Sequence, residues 1–185
     1  MVDYYAAYGE RWRLPNGFKR LLHNRELRYI FYGRCSIESS LSICRFLFRI
    51  LRHRLANKLG TEISFQNVGG GLTIAHGYAI TVTSKAVLGN NVSLRKGVTI
   101  GIEARGKREG APTIGSNVWI GPSASIVGKI SIGNDVLIAP NSYVNIDVPD
   151  HSIVIGNPAK IIEVTIGFAT EGYLRVITNI LDSIK

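Results

Sequence analysis

The chain has 185 residues, a length that suits one domain with a sizeable core and a smaller appendage. It is 45% apolar with 20 glycines, which excludes a disordered chain, and no apolar run is long enough to span a bilayer. The net charge is +9, and the two cysteines, Cys35 and Cys44, lack metal-ligand spacing, so they read as reduced core thiols with no metal site.

The charge is concentrated at the start. Residues 1–58 hold twelve Lys/Arg against Asp3, Glu10, Glu26 and Glu38, a net of +8, and everything after them nets +1. The opening "MVDYYAAYGERWRLPNG" has no signal-peptide core, so a cytoplasmic location is expected. Further on, "SLSICRFLFRILRHRLANKLG" sets Leu41, Cys44, Phe48, Leu51 and Leu55 at three- and four-residue steps and offers Gly60 as a stop, which predicts a helix. A basic helical region over 1–59 is therefore expected. Its cations read as a solvated face with Arg stems laid over apolar surface. The alternative is an anionic partner, for which peripheral membrane contact is one form. No nucleic-acid motif accompanies the charge, and nucleic acid is not expected as a partner.

From position 76 the chain falls into sixes: "HGYAIT VTSKAV LGNNVS LRKGVT IGIEAR", then, in a new register, "IGSNVW IGPSAS IVGKIS IGNDVL IAPNSY VNIDVP". The first column is His76, Val82, Leu88, Leu94, Ile100, then Ile114 through Ile138 to Val144. The fifth column is small or branched throughout, and the second is often Gly. A period of six fits neither a helix nor simple strand alternation. It is the signature of a parallel β-helix, whose branched residues point inward and whose glycines serve the corners. Three hexads per coil would stack residue i on i+18, about 4.8 Å apart, and would set His76 on the Leu94 rung. The fold expected is mainly β, with the β-helix over 60–163 and a tail over 164–185 whose "GYLRVITNILDSIK" would close as a short helix.

Three places break the pattern. His76 occupies a slot that its column reserves for aliphatic residues. A buried imidazole costs desolvation that Leu avoids, so the ring is either satisfied in the core or kept for chemistry. Ile100 and Ile114 are fourteen positions apart, two more than a pair of hexads, and the polar "GIEARGKREGAP" reads as an outward loop over about 101–113. Its Arg105 and Arg108 are candidates to meet a phosphate or carboxylate. Finally "IVIGNPAKII" ends the repeat at Gly156 and Pro158, with Lys160 directly after.

Together, the hexads, "AHGYAITVTSKAVLGNNVSLRKGVTIG", the outward loop and "VIGNPAKII" resemble the hexapeptide-repeat acyltransferases, in particular the serine acetyltransferase group and its polysaccharide O-acetyltransferase relatives. The resemblance implies a left-handed parallel β-helix assembled as a homotrimer, with acetyl-CoA as acyl donor in the groove between subunits. It implies that His76 is the catalytic histidine, with Glu62 as the carboxylate that steers the ring. Lys160 would meet the CoA phosphates, and Pro122, Ser123 and Pro140 would lie along the pantetheine arm. Proline has no N–H, so carbonyls or Ser123 would serve there. The chemistry is consistent: an alcohol attacking a thioester loses its proton as the bond forms, and a neutral imidazole is suited to take it. The repeat has no cysteine, which favours direct transfer over an acyl-enzyme.

One departure bears on the acceptor. Serine acetyltransferases carry an Arg-His pair before the proline of the outward loop, and here Gly110 and Ala111 stand in those places. A sugar or polysaccharide hydroxyl is therefore the expected acceptor, with serine the alternative and a non-catalytic β-helix scaffold a second one. A β-helix carbonic anhydrase would need three zinc histidines, and only His76 and His151 lie in or beside the repeat.

Overall fold

A computed structural model describes residues 24–165 and 169–170. Two helices come first, α1 (Arg25–Glu38) and α2 (Ser42–Leu59). Asn24 caps α1 by accepting the Leu27 N–H at 2.8 Å. Gly60 ends α2 in the left-handed conformation (φ 57°), as the sequence predicts. Short strands follow: β1 (Glu62–Ile63), β2 (Thr73–Ala75), β3 (Thr81–Val82), β4 (Val87–Leu88), β5 (Ser93–Arg95), β6 (Thr99–Gly101) and β7 (Thr113–Ile114). Then come β8 (Val118–Ile120), β9 (Ser125–Val127), β10 (Ser131–Ile132), β11 (Val136–Ile138), β12 (Tyr143–Val144), β13 (Ser152–Ile155) and β14 (Lys160–Glu163).

These strands wind a parallel β-helix of three sheets. One holds β1-β3-β6-β9-β12, the second β4-β7-β10, and the third β2-β5-β8-β11-β13, with β14 folded back antiparallel on β13. Successive coils stack at the expected spacing of eighteen: Val82 on Ile100, Ile114 on Ile132, Ile120 on Ile138. Both aliphatic columns point inward, and Leu94, Ile100, Ile120, Ile126 and Ile138 are fully buried. Each such side chain contributes about 1.5–3 kcal/mol through burial. The glycine column has a steric cause. A Cβ on Gly115 would lie 2.6 Å from the Gly133 carbonyl oxygen of the next coil.

Two departures interrupt the eighteen-residue coil, and the first corrects the expected register. Ile74, not His76, stacks on Leu94, so the first of these coils spans twenty residues. The two extra residues lie in the corner between β2 and β3, and they move His76 off the aliphatic column and onto an exposed corner with φ 55°. The stretch after Ile100 is the enlarged corner expected over about 101–113: Leu88 stacks directly on Ile114, twenty-six positions on. Its excess folds as a hairpin, with Glu103 bridged to Gly110.

Helix α1 covers the first coil. Tyr29, 2% exposed, meets Phe65 edge-on at 5.5 Å between ring centroids. Arg34 donates to the carbonyl oxygens of Val68 and Gly69. The aliphatic stripe predicted on α2 is only partly used: Cys44, Phe48 and Leu55 are half-buried, whereas Leu41 is 62% exposed. The closing helix expected in the tail falls outside the described residues.

Candidate active site

In every coil the chain passes from the sheet of β2, β5, β8, β11 and β13 to the sheet of β1, β3, β6, β9 and β12 through one corner. Those corners stack into a single edge. Gly97 donates its N–H to the Tyr78 oxygen at 2.8 Å, Ser123 to Lys96 at 2.9 Å, and Asn141 to Pro122 at 3.0 Å. The edge therefore carries His76 to Ala79, then Lys96 and Gly97, then Pro122 and Ser123, then Pro140 and Asn141. At its far end Tyr143 donates to the Gly156 oxygen at 3.0 Å, and Lys160 pairs with Ile155 across the terminal hairpin. Five of the residues singled out from the sequence are thus brought to one edge: His76, Pro122, Ser123, Pro140 and Lys160. All but half-buried Pro122 are exposed. The Pro122 carbonyl already accepts one hydrogen bond and keeps a second lone pair, while the Ser123 hydroxyl has no protein partner among the described residues.

The His76 corner is held from below. Gly77 donates its N–H to Glu26 Oε1 at 3.3 Å and accepts a hydrogen bond from the Thr61 hydroxyl at 2.9 Å. Thr61 in turn offers its carbonyl to the Tyr29 hydroxyl at 3.3 Å, and the same phenol oxygen accepts the Ile63 N–H at 3.1 Å. Burial pushes the Tyr29 phenol above its ordinary pKa, so it remains a neutral donor. Position 77 must be glycine, because a Cβ there would lie 2.7 Å from Ile74 Cγ2 and 2.8 Å from Glu26 Cγ.

Glu62 lies on β1 opposite Thr81, exposed. No hydrogen bond or ion pair joins it to His76, and the carboxylate that does reach this corner is Glu26. Sequence reasoning missed Glu26 because its partner lies 51 positions away, and only its place in a capped first helical turn marks it.

Arg105 and Arg108 occupy a different corner of the coil, on the far side of the sheet that His76 leads into. Their hairpin is tied to the next coil, Lys129 donating to the Arg108 oxygen at 2.8 Å, and both side chains are exposed. Arg95, next to Ala75 across β2 and β5, lays its guanidinium over Trp119 at 5.3 Å, with its buried Nε lacking a hydrogen-bond acceptor.

Residues 111–145 match the family described as bacterial transferase hexapeptide (six repeats). Serine acetyltransferase 2 of Arabidopsis thaliana is 37% identical over 121 residues, 65% of this chain and 38% of that protein. The serine acetyltransferase structure from Neisseria gonorrhoeae superposes with a TM-score of 0.69 at 32% identity, covering 91% of this chain and 67% of that one. A serine acetyltransferase from Brucella abortus strain S19, solved in complex with coenzyme A, gives 0.71 at 29% identity over 89% of this chain and 66% of that one. The chain belongs to the hexapeptide-repeat transferases, and its coils form the left-handed β-helix of that family. Within the family its relatives are serine acetyltransferases. It spans only 38% and 57% of the lengths of the Arabidopsis relative and the one from Synechococcus elongatus.

These relatives overturn the saccharide acceptor expected from Gly110 and Ala111, and with it a place in polysaccharide biosynthesis. The structure gives the reason that the inference failed. Gly110 closes the hairpin at φ 133°, and a Cβ there would lie 3.1 Å from Lys129 Cβ. The glycine answers a backbone demand.

Proposed function

We propose that this protein is an acetyl-CoA-dependent O-acetyltransferase whose acceptor is the hydroxyl of serine. The observation that carries the reading is the single edge that starts at an exposed, anchored histidine and ends at an exposed lysine. The acetyl thioester supplies the electrophile. His76 takes the proton of the serine hydroxyl as the oxygen bonds to the acetyl carbon, and the CoA sulfur leaves as the thiol. Glu26 fixes the corner backbone that carries the ring. Lys160 and the Ser123 hydroxyl suit the phosphate end and the amide-bearing arm of the donor. The working unit is a homotrimer in the cytoplasm. Within one chain the Arg105 hairpin and His76 sit on different corners, and packing neighbouring chains face to edge brings the two together.

Thiol release from acetyl-CoA in the presence of L-serine tests the reading. Turnover with kcat/KM above about 10⁴ M⁻¹s⁻¹, the low end of ordinary enzymes, is expected. Binding of acetyl-CoA with no serine-dependent thiol release would overturn it. Light scattering should give three times the chain mass of 20.3 kDa.

A further inference from the structure

Most exposed large aliphatic and aromatic side chains of the described residues are gathered in one short segment. Ile37, Leu41, Ile43, Phe46, Leu47, Ile50 and Leu51 are seven of the twelve, and five of these seven lie on α2. At 100° per residue, Ile43, Phe46, Leu47 and Ile50 fall within an arc of about 100°. That stripe faces away from Cys44, Phe48 and Leu55, which turn toward α1, where Phe48 stacks on Tyr32 at 5.9 Å. Helix α2 thus has two apolar faces, and the contacts among the described residues use one. Arg54 and Lys58 continue the open stripe toward the helix end, and Arg49 flanks it, all exposed. The helix carries five Lys/Arg and no Asp or Glu.

We propose that this outer face of α2 docks the protein peripherally on an anionic phospholipid surface. The helix lies in the interface plane with Phe46, Leu47 and Ile50 among the acyl chains and the cations at the headgroups. Charge decides between this occupant and a second copy of the chain. Pairing this face with a second copy would bring together two helices of five cations each, with no carboxylate on either helix to compensate. An anionic surface neutralises the same cations, and residues 1–58 as a whole, with a net charge of +8, have the same sign. The reading is independent of the catalytic one, since no residue of the stripe lies on the His76 edge.

Flotation of the full chain with vesicles tests it. The protein should float with vesicles of phosphatidylcholine and phosphatidylglycerol, stay behind with phosphatidylcholine alone, and detach as salt rises. Arg54→Gln and Lys58→Gln should each weaken binding about fivefold. Phe46→Ser with Ile50→Ser should weaken it by at least tenfold while circular dichroism and melting temperature stay unchanged, because both side chains are exposed in the free protein. Three results would overturn the proposal: no flotation with anionic vesicles, equal flotation with both lipids, or a fall in particle mass in the Phe46/Ile50 variant without a loss of vesicle binding. The last would make the face a contact between copies.

Discussion

Gly77 has no room for a methyl group, and it stands directly after the residue proposed as the base. Its amide is held by Glu26 and its carbonyl by Thr61, so the backbone that carries His76 is fixed at both ends of one peptide pair. Gly77→Ala should therefore act through its neighbour. The added Cβ meets Ile74, which is fully built into the core, and the corner has to move. The expected outcome is a fall in kcat approaching that of His76→Ala, about 10², with acetyl-CoA affinity retained in equilibrium binding. A Gly77→Ala variant with unchanged kcat would show that the corner tolerates movement and that His76 is not working there. The same corner shows where the sequence stops being readable. The hexad period identified His76 as exceptional, but back-extrapolation from Val82 set it inside. Two inserted residues changed the phase, and no local pattern distinguishes an insertion at a corner from a polar residue in the column. Ile74, the true occupant, was visible only once strand pairing placed it on Leu94.

At the scale of elements, the β-helix was legible because its rule is local. A branched residue every six positions is demanded by a coil that can bury its core only against the next one, and the coils obey it outside the two enlarged corners. Helix α2 and its Gly60 stop were legible for similar reasons. The docking of α1 was not, since Tyr29 reaches Ile63 and Glu26 reaches Gly77 across more than thirty positions. That docking makes α1 part of the site. Tyr29→Phe leaves the Ile63 N–H and the Thr61 carbonyl without their shared buried partner, which should cost about 1–3 kcal/mol. It also has a pH signature. Burial raises the Tyr29 pKa in the folded chain above the unfolded value of about 10. The contribution of the neutral phenol is complete below that value and is lost as pH rises through the folded pKa. Thermal melts should accordingly show stability falling above about pH 10 in the wild type, and less steeply in Tyr29→Phe. Parallel slopes would mean that Tyr29 ionises no differently when folded.

Across the whole molecule, the edge from His76 to Lys160 spans four coil steps, counted through Ile74, Leu94, Ile120, Ile138 and Val154 in register. At about 4.8 Å per step that is about 19 Å, a distance over which only a long, extended donor can touch both ends. The two ends should then fail differently. Lys160 is a single exposed cation, proposed to meet a phosphate of the donor. Losing such a charge-assisted hydrogen bond is worth about 1.5 kcal/mol, or about tenfold in affinity. Lys160→Ala should raise KM for acetyl-CoA by about that factor and leave kcat alone, because the lysine lies far from the reacting carbon. His76→Ala should do the reverse. Groups this far apart that share no protein partner and touch opposite ends of the donor behave independently, so the double variant should show the product of the two effects on kcat/KM within about a factor of two. A Lys160→Ala enzyme with unchanged KM would place the donor phosphates elsewhere. A strongly non-multiplicative double variant would mean that the two ends meet through a neighbouring subunit rather than through one extended donor along a single edge.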